Sequence, residues 1–317
     1  MEIFLSIVLL IVGMALLIKG ADFFVDGASQ VAKAMKIPSL IIGLTLVSIG
    51  TSMPEMSVSI QSAIKNLDDM SFGNVVGSNI FNTFVVIGAS SLFVPLVVSK
   101  DMKKYDIPIL VLIYLVLIVF GFVIGPYEVT LVESIIIFAL FFIYTFFLIY
   151  RSRKEKVEEE VTKQRKWYFN VLFIVLGLAG IIFGGDLVVD NAKVLALKLG
   201  MSDLLVGLTI VAVGTSLPEL VTSMVAAKKG ENDIAVGNAI GSCIFNVVLI
   251  LGLSGIISPY VVLESYLVDL IVMLCSAVII LIMSMTDGKI GKGNGIILIL
   301  IYSLYLTYII LRNMGLM

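Results

Sequence analysis

The sequence of 317 residues contains no histidine, only two cysteines and few charged residues. The absence of histidine excludes an imidazole proton relay and any His-ligated zinc site. Cys243 and Cys275 lie in separate apolar segments and form no CxxC pair, so neither redox chemistry nor a disulfide framework is predicted. We expect both cysteines to be small, buried apolar side chains.

Apolar sequence, in contrast, is abundant. The chain is 60% hydrophobic and 14% charged, with a mean hydropathy of +1.13, which is far more apolar than a soluble domain. A helix needs about 20 apolar residues to cross a bilayer core of roughly 30 Å. Such runs predict an all-α integral membrane protein with ten transmembrane helices, at 3–34, 38–65, 71–94, 105–125, 128–150, 167–199, 202–229, 232–258, 263–285 and 291–311.

The chain is an internal duplication. Three stretches recur at one offset of 164 residues: GADFFVD at 20–26 with GGDLVVD at 184–190, GTSMPE at 50–55 with GTSLPE at 214–219, and GNVVGSNIFN at 73–82 with GNAIGSCIFN at 237–246. We predict a first five-helix repeat at 1–150, a cytoplasmic linker at 151–166 and a second five-helix repeat at 167–317. The linker carries seven basic and four acidic residues, as expected of a solvated segment.

The number of spans sets the orientation of the two halves. Five is odd, so the second half enters the membrane from the opposite side and the repeats are predicted to be inverted. Placing the N-terminus outside assigns sixteen of the 21 Lys and Arg residues to the cytoplasmic side. The positive-inside rule therefore predicts a multi-pass protein of the cell membrane with both termini extracellular. The net charge of -2, without a basic stripe, gives no case for nucleic acid as a partner.

The second predicted span carries a helix-breaking motif with a buried acid. Thr51 and Glu55 are four residues apart and share a helix face, and Ser52 is three residues from Glu55. Pro54 removes a backbone donor and clashes with the carbonyl of Gly50, so we expect a kink that turns backbone carbonyls toward a polar cavity. The seventh span repeats this motif with Gly214, Thr215, Ser216, Pro218 and Glu219.

The third and eighth spans each carry a polar stripe of residues four apart. These stripes are Asn74, Ser78 and Asn82 in the third span, and Asn238, Ser242 and Asn246 in the eighth. Glycines at GxxxG spacing allow close helix approach; they are Gly73, Gly77, Gly237 and Gly241. For Asn74 and Asn238, hydrogen bonding between helices and contact with an ion both remain open.

Glu55 and Glu219 point to cation chemistry. A carboxylate near the membrane centre costs at least about 2.5 kcal/mol unless it finds a partner, and neither motif supplies a basic one. Carboxylates, hydroxyls, amides and freed carbonyls form an all-oxygen set, which suits calcium and sodium. A single kinked helix with a protonated acid could be structural, but two copies in inverted halves favour a transport site. The pairs Asp22/Asp26 and Asp186/Asp190 are predicted near helix ends, facing solvent or an access path.

At these residues the chain resembles the calcium/cation antiporter superfamily, specifically its prokaryotic sodium/calcium exchangers. The GTSxPE stretches and their GNxxGSxIxN partners look like that family's paired alpha repeats. The resemblance implies a calcium site formed by Glu55, Glu219 and the carbonyls of Thr51 and Thr215. It also implies flanking sodium sites formed by Ser52, Ser216, Ser78, Ser242, the carbonyls of Ser48 and Ala212, and Asn82 and Asn246 at the centre. In that family the first and sixth spans are thought to slide across the other eight.

The chain departs from the family pattern at one central position. Many relatives carry aspartate where Asn246 stands, whereas both halves here carry asparagine, so the site is less negative and the number of bound sodium ions is open. Proton-coupled relatives usually carry an acidic residue soon after the GN pair. Val75 and Ala239 follow it here, which favours sodium over protons.

Sodium/calcium antiport is therefore the leading prediction, with calcium/proton exchange on Glu55 and Glu219 as the alternative. An intramembrane hydrolase with Ser52 or Ser216 as nucleophile would need an activating base, and neither motif contains His or Lys. A channel is harder to separate, because oxygen-lined filters also bind cations. We expect no cofactor besides the transported ions, and no partner besides those ions and the lipid bilayer.

Overall fold

The computed structural model describes residues 2–124, 127–154, 166–200, 212–264 and 266–314, which are almost entirely helical. Eight helices in this part of the chain are long and apolar enough to cross a membrane, and a bent pair brings the number to nine. We number the helices in chain order: α1 Glu2–Met35, α2 Ser39–Thr51, α3 Met53–Ile64, α4 Asp69–Phe93, α5 Met102–Ile124, α6 Leu131–Lys154, α7 Trp167–Lys198, α8 Ala212–Gly214, α9 Leu217–Lys228, α10 Asn232–Ile257, α11 Tyr266–Asp287 and α12 Lys292–Asn313.

These bounds agree with nine of the predicted spans, while most of the first half of the seventh lies outside the described residues. The predicted kink is confirmed: α2 and α3 meet at Ser52 with a bend of 51°. The matching break separates α8 from α9 at Thr215 and Ser216. The helix α6 continues four residues into the predicted linker, to Lys154.

Helices α1 and α7 pack along each other with their backbones in contact. A Cβ atom on either Gly20 or Gly177 would lie 2.8 Å from the carbonyl oxygen of the other, and Gly13 and Gly184 meet in the same way. These contacts make the two helices antiparallel. In the repeat, position 13 is equivalent to 177 and position 20 to 184, at the offset of 164. The two contacts are therefore equivalent to each other when the halves are exchanged. Glycine is required here because any side chain would separate the helices.

Two short antiparallel ribbons join the halves. Strand β1 (Leu96–Val97) pairs with β4 (Lys289–Ile290), and β2 (Glu128–Val129) pairs with β3 (Tyr260–Val261). In each ribbon, one strand comes from the first half and the other from the second half: β1 follows α4 and β4 follows α11, whereas β2 follows α5 and β3 follows α10. Backbone hydrogen bonds therefore fix the loops of one half against those of the other.

Each half also contains a buried Tyr–Asp–Arg cluster, which the sequence analysis missed. In the first half, Arg151 donates to both carboxylate oxygens of Asp106 at 2.8 and 3.0 Å, and the Tyr144 hydroxyl donates to Asp106 at 3.1 Å. In the second half, the Tyr305 hydroxyl and Arg312 donate to Asp269 at 3.0 Å each. These clusters tie the start of α5 to α6, and the start of α11 to α12.

The two cysteines have different environments. Cys243 is fully buried in α10, as predicted, but Cys275 is exposed on α11, so the prediction of burial is wrong there. The face of α11 that carries Cys275 also exposes Ile271 and Ile282, which is the surface expected against lipid. The apolar sequence around Cys275 reflects contact with the bilayer and not with a protein core.

Candidate cation-binding site

The two predicted carboxyl groups meet through hydroxyls of the opposite half. The Ser52 hydroxyl donates to Oε1 of Glu219 at 2.7 Å, and the Ser216 hydroxyl donates to Oε1 of Glu55 at 3.0 Å. Both glutamates are fully buried. Because Ser52 and Ser216 occupy the helix breaks, the two broken helices cross at the carboxyl groups. Neutral hydroxyls orient these carboxyl groups, and among the described residues no basic side chain forms a salt bridge with either of them.

Several buried polar atoms around the carboxyl groups have no hydrogen-bond partner within the described part of the chain. Buried polar atoms in folded proteins are nearly always paired, so such a concentration indicates atoms available to a ligand. Nearly all of these atoms are oxygens, as hard cations prefer. They are Oε2 of Glu55, Oε2 of Glu219, Oγ of Ser78, Oγ1 of Thr215, Oδ1 of Asn246, and Oδ1 and Nδ2 of Asn82.

Three more predicted ligands, Ser242, Ser48 and Thr51, lie around the same centre. The Ser242 hydroxyl is 3.4 Å from Oε1 of Glu219 and 3.4 Å from the carbonyl oxygen of Ser48. The Thr51 hydroxyl donates at 2.9 Å to Oδ1 of Asn238. The backbone of Ala212 begins α8, and its side chain lies outside the described residues.

Asn74 and Asn238 act as helix-to-helix hydrogen-bond donors. Nδ2 of Asn74 donates to the carbonyl oxygen of Glu55 at 3.2 Å and to the hydroxyl of Ser59 at 3.0 Å. Nδ2 of Asn238 makes the matching pair, to the carbonyl oxygen of Glu219 at 3.3 Å and to Ser223 at 2.9 Å. These bonds fix the backbone of each glutamate against the neighbouring polar helix.

Asn82 and Asn246 stand where α4 and α10 change their helical winding. A π-helical segment begins at each, Asn82–Val86 in α4 and Asn246–Leu251 in α10. Such segments occur mostly as short insertions at functional sites, because the extra residue redirects side chains and backbone. Both asparagines are fully buried.

Asn79, which was not predicted from the sequence, also contacts the site. Its amide donates to the carbonyl oxygen of Cys243 at 3.1 Å, and its Oδ1 accepts from Nδ2 of Asn246 at 3.0 Å. The Cys243 thiol lies 3.6 Å from the carbonyl oxygen of Asn79. Residues 79 and 243 occupy one position of the repeat, and it is a position at which the two motifs differ, which was the available signal.

Close approach at the GxxxG glycines is confirmed in the second half. A Cβ on Gly241 would lie 2.8 Å from the carbonyl oxygen of Leu44, and one on Gly237 would lie 3.1 Å from the backbone of Gly43. The matching neighbours of Gly73 and Gly77 would be at 207 and 208, outside the described residues.

A pocket of about 380 Å³ reaches the site from one side. It lies between α3, α7, α8 and α9, and its wall includes Ser57, Asp186, Asp190 and Thr215. Both aspartates lie in the interior of α7, so the prediction that they are near a helix end is wrong. The alternative role, that of facing an access path, agrees with their place in the pocket.

Asp22 and Asp26 are likewise interior to α1, and their surroundings differ. Lys229 Nζ lies 2.7 Å from Oδ1 of Asp22 and 2.6 Å from Oδ1 of Asp26. The Ser29 hydroxyl also donates to Glu231 at 2.5 Å. These bonds join α1 to the end of α9 on the side of the site opposite the pocket.

Fold and site together define a multi-pass membrane transport protein. The chain belongs to the sodium/calcium exchanger protein family, whose model matches residues 5–150 and 169–311. Inner membrane protein YrbG of Escherichia coli is 37% identical, with 93% of each chain covered. Sodium/calcium exchanger MaX1 of Methanosarcina acetivorans is 33% identical, covering 95% of this chain and 97% of MaX1. A solved structure of the sodium-calcium exchanger NCX_Mj superposes with a TM-score of 0.84 at 29% identity, covering 97% of this chain and 99% of that one.

Proposed function

We propose that this protein exchanges sodium for calcium across the membrane by alternating access to the site between Glu55 and Glu219. The observation that carries the proposal is the reciprocal contact of the carboxyl groups with hydroxyls of the opposite half. Two carboxylates balance one calcium ion or two sodium ions, so the two cations compete for one site. Because the two glutamates follow helix breaks and the two central asparagines begin π-helical segments, small helix movements can change access.

The proposed architecture is ten transmembrane helices in two inverted repeats. The ribbons support it, since paired strands lie on one side of the membrane and an even number of crossings must separate them. Between β1 and β4 the long helices α5, α6, α7, α10 and α11 supply five crossings. The segment that ends in α8 and α9 must supply the sixth. Between β2 and β3 the long helices α6, α7 and α10 supply three crossings. A fourth, by the segment that ends in α8 and α9, is again needed to make the number even.

The proposed orientation places both termini outside and the linker in the cytoplasm. The pocket lined by Asp186 and Asp190 then opens to the exterior, and the Lys229 contacts close the cytoplasmic side. One further contact places the ends of α9 and α4 on the same side of the membrane. Lys228, at the end of α9, packs over the ring of Phe93, at the end of α4, at 4.4 Å.

We assign calcium to the two glutamates with the carbonyls of Thr51 and Thr215, and sodium to the surrounding oxygens. The sodium ligands are Ser52, Ser216, Ser78, Ser242, Asn82, Asn246 and the carbonyls of Ser48 and Ala212. The unpaired oxygens of Ser78, Asn82 and Asn246 support this assignment. Because both central asparagines are neutral, sodium ions beyond two would leave the occupied site positively charged. We therefore propose that the site binds no more than two sodium ions at once, the number that two carboxylates neutralise.

The proposal predicts that an outward sodium gradient drives calcium into proteoliposomes. The purified protein would be reconstituted with sodium inside, and radioactive calcium uptake would be measured with the membrane potential and pH clamped by ionophores. We expect uptake that requires internal sodium and stops when internal sodium is replaced by choline. Protein-free vesicles and vesicles containing Glu55→Ala are the controls.

The same vesicles separate the alternatives. Uptake driven by a pH gradient without sodium would contradict sodium coupling and identify calcium/proton exchange. Calcium flux that needs no counter-ion on the opposite side would identify a channel. Val75 and Ala239, which stand where proton-coupled relatives carry an acid, support the sodium-dependent outcome.

A further inference from the structure

The contact between Lys229 and α1 has the features of a clamp. Lys229 caps the end of α9, and its ammonium group bridges Asp22 and Asp26 while donating to the carbonyl oxygen of Asp22 at 2.8 Å. The two aspartates are four residues apart and so lie on one face of α1. One cation therefore holds the end of α9 against two successive turns of α1.

The residues that are equivalent to this clamp in the repeat, at the offset of 164, lie on the other face of the site. Asp22, Asp26 and Lys229 correspond to Asp186, Asp190 and Lys65. Lys65 caps the end of α3 as Lys229 caps the end of α9. All three charges are thus duplicated, with the same sign and on the same parts of their helices.

In this structure the equivalent lysine, Lys65, is not bonded to the equivalent aspartates. Asp186 and Asp190 are exposed in the pocket wall, and Lys65 is exposed. In the described part of the chain, no salt bridge joins Lys65 to either aspartate. The same three residue types are therefore bonded on the closed face and separated on the open face.

We propose that Lys229 and Lys65 are alternating clamps of the transport cycle. When the protein opens on the Lys229 face, Lys229 leaves Asp22 and Asp26, and Lys65 closes onto Asp186 and Asp190. This inference rests on the proposed function, since it requires two access states in which inverted halves exchange their conformations. It adds a role for six charged residues that lie outside the ion site.

The strength of such a bond suits this role. The side chains of Lys229, Asp22 and Asp26 are 25%, 35% and 43% exposed, so water screens the attraction. A partly exposed ion pair biases an equilibrium without trapping it. The bond from Ser29 to Glu231 adds to this clamp, whereas the matching positions 193 and 67 are Lys and Leu and cannot repeat it. The two faces are therefore not equally stabilised, and closure on the Lys229 face is favoured.

Accessibility of matched cysteines tests the clamps. Ser57→Cys reports on the pocket face and Val221→Cys, at the corresponding position, on the Lys229 face; exposed Cys275 is first replaced by alanine. Labelling by a polar maleimide in detergent is followed for each reporter with Lys229→Met or Lys65→Met. We expect Lys229→Met to raise labelling at 221 and lower it at 57, by about two- to fivefold, as loss of a partly exposed ion pair predicts. Lys65→Met should shift both rates in the opposite direction.

Lys228→Met is the matched control, because it removes one positive charge at the neighbouring position of the same helix end and should move neither reporter. Lys229→Gln serves as a second variant where Lys229→Met does not give folded protein. Equal labelling in all variants, or shifts of the same sign from both lysines, would overturn the clamps. If the unaltered protein exchanges sodium for calcium while labelling does not move, only the clamps fail; absence of exchange in the unaltered protein is a failure of the proposed function.

Discussion

The two halves of the molecule agree at the carboxyl groups and differ on either side of them. At the centre, Ser52 bonds Glu219 and Ser216 bonds Glu55, so each half completes the other. On one flank, Asp186 and Asp190 line an open pocket; on the other, their counterparts Asp22 and Asp26 are bonded to Lys229.

Burial follows the same division. Thr51, Val25 and Thr222 are fully buried, whereas their counterparts Thr215, Val189 and Val58 are only partly buried. Corresponding residues of one duplicated sequence therefore differ in burial on the two flanks of the site. A nearly symmetric centre flanked by two unlike faces is what access from one side at a time requires.

The largest expected effect tests the symmetry of the centre. We expect Glu55→Ala and Glu219→Ala each to reduce exchange at least about 25-fold, because removing one charged partner of a buried set costs about 2–5 kcal/mol and each 1.4 kcal/mol is tenfold in affinity. Initial rates of sodium-driven calcium uptake in proteoliposomes measure the loss.

The matched control is Glu128→Ala, which removes an exposed carboxylate outside the site. It should exchange at the unaltered rate. All three variants should elute as monodisperse protein in detergent. Near-normal exchange in either Glu55→Ala or Glu219→Ala would break the comparison, because the two halves would then not share one site.

A smaller effect is expected where the halves differ within the site. Asn79 supplies the partner of Asn246, but Cys243 stands at the matching position and leaves the amide of Asn82 without a partner among the described residues. Asn79→Ala should weaken exchange about tenfold, since an orphaned buried donor costs about 1–3 kcal/mol. The sodium concentration for half-maximal exchange and the maximal rate would be measured separately.

Cys243→Ala is the control for that prediction. It removes a thiol whose contact with the carbonyl oxygen of Asn79 is long, at 3.6 Å, and should change exchange less than Asn79→Ala does. An equal loss in both variants would mean that packing at this position, and not the orientation of Asn246, determines the effect.

Sequence reasoning found the centre because the motif residues were close together in the chain. A proline directly before an acid, with a glycine four residues before that proline, predicts both the break and its carboxyl group, and the offset of 164 doubled that signal. The contacts from Ser52 to Glu219 and from Ser216 to Glu55 could not be read in this way, since they join residues more than 160 positions apart. Repetition showed that two sites matched, but only the fold shows that they cross.

The Tyr–Asp–Arg clusters were missed for a related reason. Asp106 and Asp269 are 163 residues apart, and Arg151 and Arg312 are 161 apart, so insertions had already broken the register of 164. The flanking aspartates were misplaced because charged residues inside an apolar run suggest a helix end. The long helices α1 and α7 instead carry them in their interiors, where Lys229 or the pocket provides a polar environment.

The smallest expected difference compares these two clusters. Asp106→Asn should lower thermal stability more than Asp269→Asn, because it removes the 2.8 Å ion pair of Arg151, which is 7% exposed and keeps a longer pair of 3.4 Å to Asp101, whereas Arg312 is 23% exposed and can be hydrated. Breaking a buried ion pair costs about 3–5 kcal/mol, and we expect the Asp106 variant to approach that range and the Asp269 variant to fall below it. Melting in detergent, followed by size-exclusion fluorescence, would rank them. The paired change of Asp106→Asn with Arg151→Met should recover part of the loss, since it removes the buried positive charge that Asp106 balances. Equal melting of the two single variants would show that burial of the arginine does not distinguish the halves.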